Sequence, residues 1–427
     1  MISLILFGLL AVLLFISVPI AVSLGVASTV ALLVSGKVSG SYVPQVLVTS
    51  IDSFPLMAVP FFILAGDLMG QGGLSQRLIN VARLLFGRYT GGMAIIAVVT
   101  CIFFAAISGS GPATVAAVGT ILLPAMARDG YKKGFSAGLI ASSGSLGVII
   151  PPSIPMVIYA TSANVSVSRL FMGGVLPGLL IGLTLITYAW WKSRADGQTP
   201  SDYHTSRKEV LATINDAKWA LMVPVIILGG IYGGVFAPTE AAAVGVIYGL
   251  FVGVFVYREL NLKKLYRIFA GSALTSATIM LIVGTATIFG RALAIEGVPV
   301  MLAHAITSIV DQTWLLLLAI NVILLIVGTF METIAAIIIL TPILLPLVTA
   351  LGVSPGHFGI MMIINLAIGM VTPPVGVNLF VAARVSDLSL ETVIKGAIIP
   401  TLLMIIVLMI VTYVPALTLA LPAVVGM

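Results

Sequence analysis

The sequence predicts an all-α polytopic membrane protein made of two inverted repeats, each with a re-entrant hairpin and a broken transmembrane helix. Three observations carry this. The 427 residues are 60% apolar and 8% charged, whereas a soluble domain has about a quarter charged residues. Two stretches, Gly147-Val148-Ile149-Ile150-Pro151-Pro152-Ser153 and Gly369-Met370-Val371-Thr372-Pro373-Pro374-Val375, each set a glycine and a Pro-Pro pair inside an apolar run. Finally, residues 222 apart match without a gap. Ala113, Ile121, Leu122, Leu123 and Pro124 fall on Ala335, Ile343, Leu344, Leu345 and Pro346. Gly130, Gly134, Gly147 and Pro151-Pro152 fall on Gly352, Gly356, Gly369 and Pro373-Pro374. Shared apolar composition would match Leu and Ile, not glycines and paired prolines.

The Pro-Pro pairs define the broken helices, over 134–164 and 356–386. Proline has no N–H and clashes with the preceding turn, so the helix stops and leaves bare carbonyls and amides. Inside a bilayer such groups survive only where protein buries them or they line a cavity. Two breaks in matching positions of two halves point to a transporter's binding site.

The remaining elements follow from length and polarity. A span needs about 20 apolar residues, which predicts crossings near 3–34, 51–71, 170–191, 219–237, 240–257, 271–293 and 396–421. The amphipathic or basic stretches 74–89, 195–217 and 260–269 are expected at the interface. Residues 91–126 are apolar around Ser108-Gly109-Ser110-Gly111-Pro112, and 313–349 around Gly328-Thr329-Phe330-Met331-Glu332-Thr333. Their tips hold turn formers, so both read as hairpins that enter and leave on one side. The repeat cores then run 51–195 and 271–427. Between them, 196–270 supplies a basic loop, scaffold helices and an interfacial helix, all within one membrane domain, 1–427.

Hairpins add no net crossing, so one repeat period holds an odd number of spans and the second copy is inverted. With a cytoplasmic N-terminus, every one of the 20 Lys and Arg residues except Lys37, Arg169 and Arg291 falls on the inside, as the positive-inside rule requires. This layout puts the C-terminus outside. Met1 leads straight into an apolar run without a basic leader, which reads as a retained first helix. The net charge of +6 belongs to the inside loops rather than to nucleic-acid binding.

The chemistry on offer is oxygen-rich and nearly uncharged. Ser108, Gly109 and Ser110 with Gly144 and Gly147 form one candidate cation site. Gly328, Thr329 and Thr333 with Gly369 and Thr372 form its mate. Hydroxyls and unwound carbonyls suit a monovalent cation such as Na⁺ at no fewer than two sites, while half-helix ends supply the field. The same small residues also suit plain helix packing. A pseudo-symmetric scaffold reads an asymmetric solute through its departures from symmetry. Asn378 aligns with Met156 and Glu332 with Ser110, so these, with Thr114, Ser153 and Pro374, are the substrate candidates. Glu332 is equally placed to cap the helix that follows it, and Asn378 to make an interhelical hydrogen bond. Arg384 is expected to snorkel to the cytoplasmic face.

Enzymatic classes find little support. The sequence has no Walker motif and no HExxH. His204, His304 and His357 fall in loops or at segment ends, and Cys101 sits in an apolar run, where it packs.

Four motifs together carry a resemblance: Gly-Ser-Gly-Pro-Ala-Thr at 109–114, Ile-Pro-Pro-Ser at 150–153, Ala-Pro-Thr-Glu-Ala-Ala at 237–242, and Gly-Met-Val-Thr-Pro-Pro-Val-Gly-Val-Asn at 369–378. The chain resembles, over its whole length, the large membrane subunit of tripartite ATP-independent periplasmic (TRAP) transporters. The resemblance implies an elevator-type, Na⁺-coupled secondary transporter of the bacterial inner membrane, carrying carboxylates such as sialic acid or C4-dicarboxylates. It also implies a periplasmic solute-binding protein and a small four-helix membrane subunit, here expected as a separate chain. Sodium would lie at each hairpin tip and its neighbouring break, with substrate between the tips. A self-sufficient sodium–carboxylate symporter of a related fold is the alternative, and a receptor or scaffold role a distant third.

Overall fold

The computed structural model describes residues 2–199, 206–298, 301 and 312–426. The first half holds α1 (Ile2–Phe15), α2 (Ile20–Ser35), α3 (Tyr42–Ile51), α4 (Ala58–Gln71), α5 (Leu74–Phe86), α6 (Gly92–Ser108), α7 (Gly111–Arg128), α8 (Lys133–Gly144), α9 (Leu146–Ile149), α10 (Ile154–Ala163) and α11 (Val167–Ala195). The second half holds α12 (Arg207–Tyr232), α13 (Pro238–Phe251), α14 (Leu262–Ile295), α15 (Thr313–Phe330), α16 (Thr333–Ala350), α17 (Pro355–Gly369), α18 (Val377–Ser386), α19 (Leu390–Tyr413) and α20 (Ala416–Val424). Among the described residues, 8 helices are long and apolar enough to cross a membrane, or 9 if the pair bent by 41° across Pro151-Pro152 is one span. His204 and His304 lie outside the described residues.

Each expected hairpin is a helix pair, α6–α7 and α15–α16, and each broken helix stops at its Pro-Pro. Both Pro-Pro peptide bonds are cis. The tips reach the breaks because the lengths match. From its tip, α7 runs 18 residues away, and α8 with α9 climbs back over residues 133–149. In the second copy α16 runs 18 residues away and α17 returns over 15. At 1.5 Å per residue, each break comes back roughly level with its own tip. The copies also clasp each other. The return arm α7 packs on α18, and α16 packs on α10, so each hairpin leans on the outer half-helix of the other repeat. Glycines set how close helices come. A Cβ on Gly369 would strike the Gly328 backbone at 2.5 Å, and one on Gly138 would run into the Gly396 backbone on α19. Contacts this close between membrane helices need small residues.

Three expectations change. The run 3–34, read as one crossing, is two helices. Pro19 cannot donate into the preceding turn and Ser17 adopts φ 63°, after which α2 folds back and packs along α1. Ile2 and Gly36 therefore lie at the same end of this pair. Second, the described residues of 195–217 and of 260–269 form no separate interfacial helix. Residues 207–217 are the first turns of α12 and residues 262–269 those of α14. Only the stretch 74–89 forms its own amphipathic helix, α5, which buries Leu74, Leu78, Ile79 and Ala82. Third, the helices repeat from residue 2 rather than 51. With the 222-residue offset, α1 and α2 fall on the end of α12 and on α13, and α3 with α4 falls on the single helix α14.

Outside the hairpins, α4 packs on α13 and α14, and α14 on α2 and α3. Arg77 ties α5 to α12 and to the loop after α13 at one end of this group. Its guanidinium is 2.8 Å from Glu259, 3.3 Å from Asp216 and 3.6 Å from the Tyr257 ring centroid. Cys101 is fully buried in α6, as its apolar surroundings predicted. His357 is buried, its ring bonded to the Thr418 hydroxyl at 2.8 Å and the Thr412 carbonyl at 3.2 Å.

Candidate functional site

A cavity of about 650 Å³ lies where both hairpin tips, both breaks and the scaffold helices α4 and α14 meet. The first tip contributes Ser108 to Ala113, the second Glu332 to Ile334, the breaks Val148, Ile154, Pro155, Met370 and Val377. The scaffold contributes Asp67, Gln71, Thr275 and Ile279. The N-terminal ends of α7, α10, α16 and α18 converge here, each with donors unsatisfied by its own helix. Glu332 occupies one of them, accepting from the N–H groups of Ile334 at 2.9 Å and Ala335 at 3.1 Å. Ser110 and Ser153, at the starts of α7 and α10, make no capping bond. No Lys, Arg or His is among the residues lining the cavity. Its acidic side chains are Asp67 and Glu332, and its favourable field for an anion comes from helix ends.

The first tip is a closed hydroxyl cluster. Ser108 and Thr114 share a hydrogen bond of 3.0 Å, and the Thr114 hydroxyl donates to the Ser110 carbonyl at 2.7 Å. Gly109, at φ 60°, turns the chain where a Cβ would sit 3.1 Å from the Pro152 carbonyl oxygen. Behind it, a Cβ on Gly147 would meet the Ser110 oxygen at 2.5 Å and the Thr114 hydroxyl at 2.6 Å, and one on Gly144 would overlap Val115. These two glycines thus let the broken helix lie against the tip. The second tip repeats the plan. Val375 N–H donates to the Thr329 carbonyl at 3.3 Å. The Thr329 and Thr372 hydroxyls donate to their own helices, at Ile326 and Ile368. Thr333 is buried, and its hydroxyl has no partner.

Asn378 crosses between the repeats. It is fully buried on α18 and donates to Ser145 at 3.1 Å and to the Ala141 carbonyl at 3.3 Å, both on the other copy's broken helix. Its Oδ1 has no partner and lies beside Gly111. An interhelical bond and a free acceptor at the first tip therefore coexist in one side chain. Asn378 Oδ1 and Thr333 Oγ1 are two of several buried side-chain oxygens without partners among the described residues; what distinguishes them is their place, one at each hairpin tip, where hydroxyl and amide oxygens suit a hard monovalent cation. Among the described residues no group of three His, Cys, Asp or Glu side chains could hold a metal ion, and a site of hydroxyls and carbonyls is unsuited to a transition metal.

Not every candidate meets the cavity, and Asn378 itself is outside the lining set. Ser153 is buried and donates to the Val148 carbonyl at 2.6 Å, bridging its own break, and it is not among the lining residues. Thr114 lies a turn behind the tip, fully buried. Pro374 is exposed and also outside the lining set. The scaffold wall went unpredicted. Asp67, which accepts a hydrogen bond from Ser272, was legible as a carboxylate inside an apolar span, a functional signal by default. Gln71 and Thr275 carry no such signal, because their place depends on how α4 and α14 lie across the cavity.

Comparison with known proteins agrees with this architecture. The crystal structure of the Alcanivorax borkumensis YdaH transporter superposes with a TM-score of 0.63 at 17% identity, covering 87% of this chain and 88% of that one, which is a likeness of fold. The chain is 52% identical over 96% of its length to the isethionate TRAP transporter permease protein DctMQ of Oleidesulfovibrio alaskensis, of which it spans 65%. It is 44% identical to the C4-dicarboxylate TRAP transporter large permease DctM of Pseudomonas aeruginosa, over 95% of both chains. It is 38% identical to the sialic acid TRAP transporter large permease SiaM of Vibrio cholerae, over 96% of both. The model of the tripartite ATP-independent periplasmic transporter DctM component matches residues 7–417. The chain is thus a transporter subunit, not an enzyme, and belongs to the DctM-component family of tripartite ATP-independent periplasmic transporters.

Proposed function

We propose that this chain is the translocating subunit for a small organic anion, a carboxylate or a sulfonate, taken up with Na⁺ across the bacterial inner membrane. The observation that carries the reading is the convergence of both tips on one cavity, with the unpartnered Thr333 Oγ1 in its lining and the unpartnered Asn378 Oδ1 behind the first tip, beside Gly111. Sodium at the first tip would draw on Ser108, Ser110 and Asn378, and at the second on Thr329, Thr333 and Glu332. The anion would lie between them, held by helix N-termini and by the bound cations rather than by a basic side chain. The names of the relatives favour a two-carbon sulfonate or a C4-dicarboxylate over sialic acid, since the sialic acid relative is the more distant. A periplasmic binding protein delivers the anion, and a small membrane subunit accompanies the chain. The isethionate relative's DctMQ name is in keeping with the second partner.

The transport step in this reading is an elevator. The hairpins and broken helices move as a body against α4, α13 and α14. The cavity is bounded by Asp67 and Gln71 at the α5 end of α4, and α5 lies in the basic segments assigned to the cytoplasm. In this reading the cavity opens towards the cytoplasm, as in an inward-facing state. Because α2 folds back on α1, the positive-inside rule applied to this helix order favours a periplasmic N-terminus, in place of the cytoplasmic one expected from a single crossing over 3–34.

Proteoliposome uptake tests the whole reading. Uptake of isethionate, succinate or sialic acid is expected with an inward Na⁺ gradient, the small subunit and the loaded binding protein together. Full-rate uptake of free anion by the chain alone would sink it in favour of a self-sufficient symporter. Thr333→Ala is expected to weaken the Na⁺ dependence, and an unchanged sodium titration would reduce Thr333 to packing.

A further inference from the structure

A second cavity, of about 320 Å³, lies away from the central site. One wall is scaffold, with Ser50 of α3 and Thr287, Gly290 and Arg291 of α14; the other is Thr161 and Ser162 of α10 with Pro342 of α16. Arg291 is exposed there, and among the described residues it is in none of the ion pairs. The hydroxyls of Ser50, Thr161 and Thr287 donate to their own helices, which leaves the Ser162 hydroxyl as a donor for a guest.

Arg291 is also out of pattern. Lys and Arg otherwise concentrate in the segments assigned to the inside, and Lys37, another exception, is paired with Glu296 at 2.8 Å. A guanidinium near the outer end of an apolar helix can snorkel to the interface; Arg291 instead borders a cavity, beside Ser162 and Thr287, and among the described residues it has no carboxylate partner. The central cavity has no Lys, Arg or His in its lining. Both cavities touch α14, at Ile279 and at Arg291, about 18 Å apart along a helix rising 1.5 Å per residue.

We propose that the outer cavity is a docking subsite for the transported anion, where Arg291 takes its carboxylate or sulfonate group before the anion reaches the central site. This rests on the anion-uptake reading above. A guanidinium presents a planar fork suited to both oxyanions. The fixed charge raises the local anion concentration at the outer side. The central cavity, lacking such a charge, can then release what it receives.

The test uses the full chain reconstituted with its small subunit and binding protein. Arg291→Gln is expected to lower kcat/KM for uptake about tenfold with kcat kept, the loss of one charge-assisted hydrogen bond, and Arg291→Lys to recover most of it. In Arg291→Cys, where Cys101 is buried and unreactive, a thiol reagent that adds a trimethylammonium group should restore uptake and one that adds a sulfonate should not. Without the binding protein, millimolar transported anion should slow that labelling. Wild-type uptake with unaltered Arg291→Gln kinetics overturns the subsite alone. Labelling insensitive to the anion overturns it in favour of contact with the binding protein. No uptake of any of the three anions by the wild type overturns the functional reading and the subsite with it.

Discussion

Asn378 shows how one side chain can serve two readings. Its amide nitrogen ties α18 to Ser145 and Ala141 of the other repeat, while Oδ1 stays buried and unpaired. Asn378→Ala is therefore expected to raise the half-saturating Na⁺ concentration for uptake about tenfold; an unmoved sodium titration would leave Asn378 with the interhelical bond alone. The glycines divide just as sharply. Gly369→Ala forces a Cβ into the Gly328 backbone, and overpacking of that kind costs about 2–3 kcal/mol. Gly229 and Gly271 lie inside helices with nothing within 4 Å of an added Cβ, so alanine there should be neutral or stabilise by about 0.5–1 kcal/mol. Thermal unfolding of the purified variants in detergent reads both; equal losses at Gly369 and Gly229 would refute the packing account.

Elements are held to one another by charge at the basic end. Arg77 joins α5 to the loop after α13 and to α12 through two carboxylates and a tyrosine ring. Arg77→Ala is expected to cost about 1–2 kcal/mol and to open α5 to protease; Arg77→Lys should rescue only part, because an ammonium cannot fork to both acids. Asp196, ending α11, lies 2.8 Å from Lys132 at the start of α8 and 3.1 Å from Lys192. The Lys132 ammonium, helped by Lys192, holds the Asp196 carboxyl below the usual carboxylate range. A carboxyl depressed in the folded state stabilises above its unfolded pKa of about 3.9 and loses that contribution as pH falls through the lower folded value. Asp196→Asn should thus cost about 0.5 kcal/mol at neutral pH, a gap from wild type that narrows as the pH is lowered towards 3. A gap independent of pH would mean that the substitution acts through packing.

For the whole molecule the question is whether hairpins move against scaffold. Gly290 of α14 faces Pro342 of α16, and a Cβ built on Gly290 lies 3.6 Å from the Pro342 Cβ, within the range a disulfide spans. Oxidation of a Gly290→Cys, Pro342→Cys pair is expected to arrest uptake, and reduction to restore it, with buried Cys101 as a silent bystander. Undiminished uptake by the fully cross-linked protein would rule out relative motion at this contact.

The sequence by itself determined the hairpins, the broken helices and their pairing across the repeat, because Gly and Pro-Pro in an apolar run act locally and leave few backbone choices. It also singled out Ser108, Ser110 and Thr333, which line the central cavity, and Asn378, buried behind the first tip, because their polarity stands out in such a run. It missed the reversal at Ser17 to Pro19, since one proline near the middle of 3–34 fits a kinked span as well as a fold-back, and only packing of α2 on α1 separates the two. Composition could not show that Ser153 closes its own break or that Gln71, Thr275 and Arg291 line cavities. Those facts depend on which faces of α4, α10 and α14 meet the hairpins, a choice set by contacts between segments far apart in the chain.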